Sequence, residues 1–196
     1  MIVIIDSTGA NISSIMFAIE RIGYKGILTN DIDKIYKADH VILPGVGSAR
    51  KAMENLNTLE LIECIQTLTQ PVLGICLGMQ LLFEFSDEGD TPMLNIINDH
   101  VSNFNKKICK IVPHMGWNTV FFNKSHPITF EIEDSSYFYF VHSYYAKVNE
   151  KITIGITDYG NPFSAIVVKN NFMGCQFHPE RSGKNGEKIL KNFLKM

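Results

Sequence analysis

The spacing of apolar positions changes midway along the chain. In the first hundred residues, IVIID at 2–6, HVILPG at 40–45 and PVLGI at 71–75 are apolar runs without alternation, each closed by a polar or turn residue. Runs of that kind are strands covered on both faces. Between them the period becomes helical: Ile12, Ile15, Met16, Ile19 and Ile22 share one face, and Gly23 stops the pattern. A turn at Thr8, Gly9 and Asn11, a short strand at 26–29, one or two helices over 48–67 and a helix over 77–85 complete the series. Strand–helix alternation predicts an α/β fold with an open, mostly parallel sheet and flanking helices. After about residue 105 the runs shorten. TVFF, YFYFVHSYYAKV, ITIGIT, FSAIVVK and FMGCQF are rich in β-branched and aromatic residues and are separated by turn signals. They predict antiparallel or mixed strands in the C-terminal half, with GEKILKNFL as a closing amphipathic helix. No repeat or linker interrupts the chain, and 196 residues fit one domain, 1–196.

Composition removes several function classes. Hydrophobic residues make up 45% of the chain, enough for a sizeable core. Net charge is −2 with Lys and Arg scattered, so neither nucleic acid nor a membrane surface is an expected partner. No stretch approaches the roughly 20 apolar residues of a membrane span. The apolar start reaches only to Asp6, too short for a signal peptide. Cysteines stand at 64, 76, 109 and 175 without a C-x-x-C pair. That spacing fits neither a zinc site nor a disulfide framework, and a cytoplasmic chain with reduced thiols is expected. No metal or cofactor is expected.

Gly74-Ile75-Cys76-Leu77-Gly78 falls where a strand turns into a helix. It is the thiol counterpart of the nucleophile elbow, in which a sharp turn holds the nucleophile in a strained conformation. Glycines two residues to each side let strand and helix approach closely. A cysteine at a helix N-terminus gains from the free amides and the helix dipole, which favour thiolate. Read alone, Cys76 is equally well a small buried residue in a tight turn. The elbow needs a base.

Of six histidines, His40, His100 and His126 read as unremarkable, while His114 lies in VPHMGWN, His142 in YFVHSYY and His178 in CQFHPE. In extended chain Gln176, His178 and Glu180 share one face, and residues two apart are only about 6.5–7 Å from each other. Glu180 is therefore placed to orient one nitrogen of His178 and leave the other for a thiol. Cys175 falls in the opposite phase and is expected in the core. The alternative is a strand-end histidine capped by an acid. An acyl-transfer site also needs oxyanion donors. The Leu77 amide and the Pro44-Gly45-Val46-Gly47 loop, at the carboxyl end of a neighbouring strand, are candidates.

PGVGSA, PVLGICLGMQLLF, VPHMGWN, YFYFVHSYY and GCQFHPERSG occur in order. With these motifs the sequence resembles the class I (triad) glutamine amidotransferases over essentially its whole length. VPHMGWN and FVHSYY narrow the likeness to the glutaminase branch that serves imidazole glycerol phosphate synthase. The resemblance implies a flavodoxin-like domain, a Cys76–His178–Glu180 triad and hydrolysis of glutamine to glutamate and ammonia through a Cys76 thioester. It implies glutamine binding by Gly47, Gln80, Ser143 and Tyr144, with Glu88 near the α-ammonium, and an oxyanion hole from Val46, Gly47 and Leu77. It also implies a heterodimer with a (β/α)₈-barrel cyclase subunit, which receives the ammonia for histidine biosynthesis and forms imidazole glycerol phosphate and an aminoimidazole carboxamide ribotide. In that family the glutaminase is nearly idle until the partner binds its own ligand. A peptide flip near the PGVG loop is the usual explanation. Met115, Trp117, Asn118, Tyr139 and Arg181 are expected near the partner, although Trp117 is equally a core residue and Arg181 a solvated charge. Many relatives begin D-Y-G-x-G-N-L, where this chain has Asp6-Ser7-Thr8-Gly9-Ala10-Asn11-Ile12. Three other readings stay open: a glutaminase serving a paralogous synthase, a catalytically silent scaffolding subunit, and a cysteine peptidase of similar fold.

Overall fold

The computed structural model describes residues 1–6, 12–45, 47–105 and 111–196. The turn expected at Thr8, Gly9 and Asn11 and the oxyanion candidate Val46 lie outside the described residues. Strands β1 (Ile2–Ile5), β2 (Gly26–Thr29), β3 (His40–Leu43) and β4 (Val72–Ile75) alternate with helices α1 (Ile12–Arg21), α2 (Ile32–Tyr36), α3 (Ala49–Thr58) and α4 (Leu61–Gln66). Then come α5 (Leu77–Leu81), β5 (Phe83–Ser86), β6 (Thr91–Pro92), β7 (Ile97–Asn103), β8 (His114–Phe122), β9 (Ser136–His142) and β10 (Tyr144–Ala146). The chain closes with β11 (Thr153–Asp158), β12 (Pro162–Lys169), β13 (Phe172–Cys175), a 3₁₀ turn at Pro179–Arg181 and α6 (Gly183–Phe193).

The larger sheet runs β2-β1-β3-β4-β13-β12-β11-β8-β9. Neighbours are parallel from β2 to β13 and antiparallel from β13 to β9. The unalternating apolar runs are explained by the two cores on its faces. Ile2 and Ile4 of β1 join α1 and α6 on one side, while Val3 and Ile5 join α3 and α4 on the other. Each such buried aliphatic side chain contributes about 1.5–3 kcal/mol relative to exposure. A second sheet, β10-β7-β5-β6, packs beyond α5.

The pairing of β13 with β4 positions the site. Cys175 lies opposite Ile75 in register, and the Cys76 N–H donates to Cys175 O at 2.8 Å. Segments a hundred residues apart thus leave the sheet at the same edge.

The predicted helix over 77–85 is corrected: α5 ends at Leu81, and Phe83–Ser86 is a strand. An apolar run does not separate helix from strand. Here Phe83 and Ser86 are buried while Glu84 is exposed, and β7 and β6 offer pairing partners on either side. The helical stretch over 48–67 is two helices, parted at Glu60 with φ +56°. The run YFYFVHSYYAKV is two strands that belong to different sheets, broken at Ser143. Among the described residues, no helix is long and apolar enough to cross a membrane.

Candidate active site

Cys76 has φ +53° and ψ −110°, between the last residue of β4 and the first of α5. For a non-glycine residue this costs about 1–3 kcal/mol and persists only where the surroundings enforce it. The flanking glycines enforce it. A Cβ on Gly74 would lie 2.5 Å from Gly78 O, and a Cβ on Gly78 would lie 1.9 Å from Leu43 O. Backbone therefore packs on backbone, and the elbow is wedged against the end of β3. That contact brings the loop to Gly47, itself at φ +88°, beside the thiol. The amides of Leu77, Gly78 and Met79 open α5, whose ladder begins with Gln80 N–H on Cys76 O at 3.2 Å. With five residues α5 is short, so these local amides matter more than a long dipole.

His178 and Glu180 do meet, though not through the expected extended geometry. β13 ends at Cys175, and the chain turns through the 3₁₀ segment begun by Pro179. That turn brings His178 Nδ1 to 2.8 Å from Glu180 Oε1, with both side chains buried. His178 is also fixed by its main chain: its N–H donates to Tyr139 O at 2.9 Å, and Ser182 Oγ donates to His178 O at 2.6 Å. Burial disfavours charge on the imidazole. Hydrogen bonding with Cys76 and Glu180, and the negative charge on both, outweigh it and raise the pKa to about 10. The raised pKa favours the imidazolium, with Nδ1 held by the Glu180 carboxylate and the ring facing Cys76 across the cavity. Glu180 Oε2 is buried without a hydrogen-bond partner among the described residues.

The Cys76 sulfur has Val141 O at 3.7 Å and Gln176 Nε2 at 3.8 Å. Cys175 is buried in the core, as its strand phase predicts, and burial pushes its thiol well above the usual range. Cys76 and His178 open on a cavity of about 390 Å³. Gly47, Leu77, Gln80, Glu88, Ser143, Tyr144 and Arg181 line the same cavity, and Glu180 stands behind His178. The Gln80 amide is already committed, donating to Tyr144 O and Gln176 Oε1 at 2.9 Å each. Glu88 Oε2 accepts from the Ala49 amide at 2.7 Å, at the start of α3. The Tyr144 hydroxyl is raised by burial and then by the charges of Glu88 and Asp87. This side of the cavity is electronegative and suits an ammonium group.

The residues expected at a partner surface divide between two faces. β8 and β9 pair Met115 with Val141, Trp117 with Tyr139 and Thr119 with Tyr137 on the outer face. Met115, Trp117 and Tyr137 are 63%, 56% and 59% exposed, so Trp117 is not a core residue. Its ring meets Tyr139 edge-on at 6.0 Å. Asn118 turns to the inner face, where it bonds His114 and Asp158 O. Arg181 is exposed at the cavity. Sequence reasoning gave no role to His114, His142 or Gln176. Gln176 shares a strand phase with His178, which was the available signal. Among the described residues, no group of three or more His, Cys, Asp or Glu could hold a metal ion.

A strained cysteine elbow at the carboxyl edge of a parallel sheet, facing a His–Glu pair, is the arrangement of a thiol-dependent acyl-transfer protein. Residues 3–196 match the sequence profile described as glutamine amidotransferase class-I, and the chain belongs to that family. It is 52% identical over 194 residues to the imidazole glycerol phosphate synthase subunit HisH of Pasteurella multocida, covering 98% of this chain and 96% of that one. It is 53% identical over 193 residues to the protein of the same name from Haemophilus influenzae, with the same coverage. Among solved structures, that of PurLQS from Thermotoga maritima contains a chain similar in fold. The TM-score is 0.74 at 18% identity, over 99% of this chain and 97% of that one.

Proposed function

We propose that this chain is a glutaminase that supplies ammonia to imidazole glycerol phosphate synthase in histidine biosynthesis. The carrying observation is Cys76 on its strained elbow, sharing a cavity with His178, whose imidazole Nδ1 is held by the buried Glu180. Identity of 52–53% to subunits of that synthase selects the pathway over a paralogous one. An intact, mutually coupled Cys76–His178–Glu180 set speaks against a silent scaffold.

Each group has a role in the proposed reaction. Glutamine enters with its α-ammonium toward Glu88 and Tyr144 and its side-chain amide against Cys76. Gly47, Gln80 and Ser143 shape the walls. The Cys76 thiolate adds to the amide carbon, and the oxygen that gains the charge is met by the Leu77 amide and by the loop of Val46 and Gly47. His178, already protonated, donates to the departing nitrogen, so ammonia leaves as the tetrahedral adduct collapses to a glutamyl thioester. Neutral His178 then takes a proton from water. The hydroxide releases glutamate and restores the thiolate–imidazolium pair. Glu180 stabilises the imidazolium and fixes its tautomer.

The released ammonia passes to a cyclase subunit with a (β/α)₈ barrel, the other half of a heterodimer, without escaping to solvent. The outer face of β8 and β9, with Met115, Trp117 and Tyr139, and Arg181 at the cavity mouth are the surface that receives it. The chain acts as a single domain in the cytoplasm, where the free thiols of Cys64, Cys76 and Cys175 accord with reducing conditions. Glutaminase activity measured with and without the barrel partner and its ligand tests the reading: glutamate should form at an appreciable rate only with both. A chain equally active alone, or inactive with the partner, overturns it.

A further inference from the structure

Two histidines that the proposed chemistry does not use are bonded to each other at the cavity: His142 lines it, and His114 stands behind His142. His114 Nδ1 and His142 Nε2 lie 3.0 Å apart, and both residues are buried. Their other partners assign the hydrogens. His142 Nδ1 is 2.8 Å from Tyr144 O, which only accepts, so Nδ1 carries the hydrogen and Nε2 of the neutral ring is an acceptor. His114 Nδ1 therefore donates, and its Nε2 accepts from Asn118 Nδ2 at 3.3 Å. The same Asn118 nitrogen donates to Asp158 O at 3.0 Å. Burial lowers the His114 pKa to about 4. Burial first, and then the nearby His114 and His178, lower that of His142 to about 3 against the bond to Tyr144 O. Aromatic rings enclose the pair: Tyr159 and Phe140 stack on His114 at 4.0 and 4.9 Å, and Phe163 meets His142 at 5.1 Å.

This file of hydrogen bonds continues to the nucleophile. Tyr144 O accepts from His142 and also from Gln80 Nε2. Gln80 donates to Gln176 Oε1, and Gln176 Nε2 faces the Cys76 sulfur. Tyr144 and Ser143 form the short crossing between the two sheets and line the cavity. The crossing is tied to β7 by the Phe104 N–H on Ser143 O at 3.3 Å and by the pairing of Tyr144 with Asn103, and on the cavity side the carbonyl of Tyr144 is the further anchor for residues 143 and 144. A core filler would need only volume. This pair spends two buried imidazoles, each with both nitrogens engaged, to hold one carbonyl.

We infer that His142, supported by His114, is a positioning residue for the site: it fixes the Ser143–Tyr144 crossing and, through Gln80 and Gln176, the aim of the Cys76 thiol. The inference rests on the glutaminase reading and adds residues to it. Substitution at position 142 separates holding from filling. Asn places a donor nitrogen where Nδ1 stands, whereas Phe fills the aromatic box without a donor. Measured in the complex with the barrel partner, His142→Phe should lower kcat for glutamine up to about a hundredfold, the scale of an ångström-size misplacement. His142→Asn should recover most of the loss, and synthesis from added ammonium salts should stay at the wild-type rate in both. Full-rate glutaminase in His142→Phe, or no recovery in a folded His142→Asn, overturns the inference and leaves the glutaminase reading standing. A wild-type complex that does not hydrolyse glutamine overturns both. The unaltered chain offers an independent check through long-range ¹⁵N–¹H correlation of its imidazoles. His114 and His142 should both be neutral with the hydrogen on Nδ1 from pH 6 to 8. Either ring titrating there, or carrying its hydrogen on Nε2, overturns the inference.

Discussion

The near wall of the cavity, at the elbow between β4 and α5, is backbone packed on backbone. The far wall, from the end of β9, the 143–144 crossing and the turn after β13, is side chains and carbonyls holding one another. At the elbow there is no room for a Cβ, because Gly74, Gly78 and the end of β3 pack backbone on backbone. Across the cavity, His178 hangs from Tyr139 O and Glu180, and the 143–144 crossing hangs from His142. The nucleophile is held by what is absent, a Cβ at two positions. The base is held by bonds that can lengthen, shift or be traded. The first wall supplies fixed geometry. The second is the wall that a partner on the proposed interface, the outer face of β8 and β9, would reach.

Substitutions that strike one wall at a time sharpen this contrast. Cys76→Ala should lower glutamine-dependent synthesis by roughly 10⁶-fold, the loss typical of a removed nucleophile, with ammonium-dependent synthesis intact. Loss of both activities would break the division of labour between the subunits. His178→Ala should be nearly as severe, and Glu180→Gln should cost about 10⁴-fold, since orienting a base matters less than having one.

The His178–Glu180 pair also carries a pH signature. Its folded pKa, about 10, lies above the ordinary imidazole value of about 6.5. The stabilisation that Cys76 and then Glu180 give the charged ring is therefore complete below about 6.5 and lost as pH rises through about 10. Thermal melts between pH 6 and 10 should decline on the alkaline side, and Glu180→Gln should reduce that decline, leaving the share that Cys76 contributes. A wild-type Tm level up to pH 10 would refute the assignment.

The glycine wall should respond in stability. Gly78→Ala should cost about 3 kcal/mol or more, because the new methyl meets a carbonyl rather than a flexible side chain, and lower the Tm by roughly 6–12 °C. An unshifted melt would mean that the elbow relaxes. The smallest effect on the isolated chain belongs to Trp117→Ala, within about 0.5 kcal/mol in stability. The same change should weaken partner binding by at least tenfold, as for an exposed aromatic anchor. Titration calorimetry against the proposed barrel partner reads this directly.

What the sequence disclosed followed the same division. The buried strands β1, β3 and β4 and the elbow were legible because each is a local pattern: an unalternating apolar run, or glycines at fixed offsets around a cysteine. The His178–Glu180 contact was anticipated for an incomplete reason. The two were placed on one extended face, but a 3₁₀ turn joins them after the strand has ended. The helix drawn over 77–85 ran too long because LLFEF suits either state until a second sheet is available to claim it. That sheet draws together residues 83–86, 91–92, 97–103 and 144–146, too far apart for local periodicity to signal. The His114–His142 pair was beyond reach for a related reason: 28 residues separate them, and only the β8–β9 register sets them opposite each other. Strand alternation turns Asn118 inward once Trp117 faces out, so the two could not share the partner surface to which the resemblance assigned both.

Met115, Trp117 and Tyr137, lying bare on the last two strands of a large sheet, have a consequence for how the chain must be made. An uncovered aromatic strip at a sheet edge invites self-association. Chain made in excess of whatever covers this strip should yield sticky, clumping material.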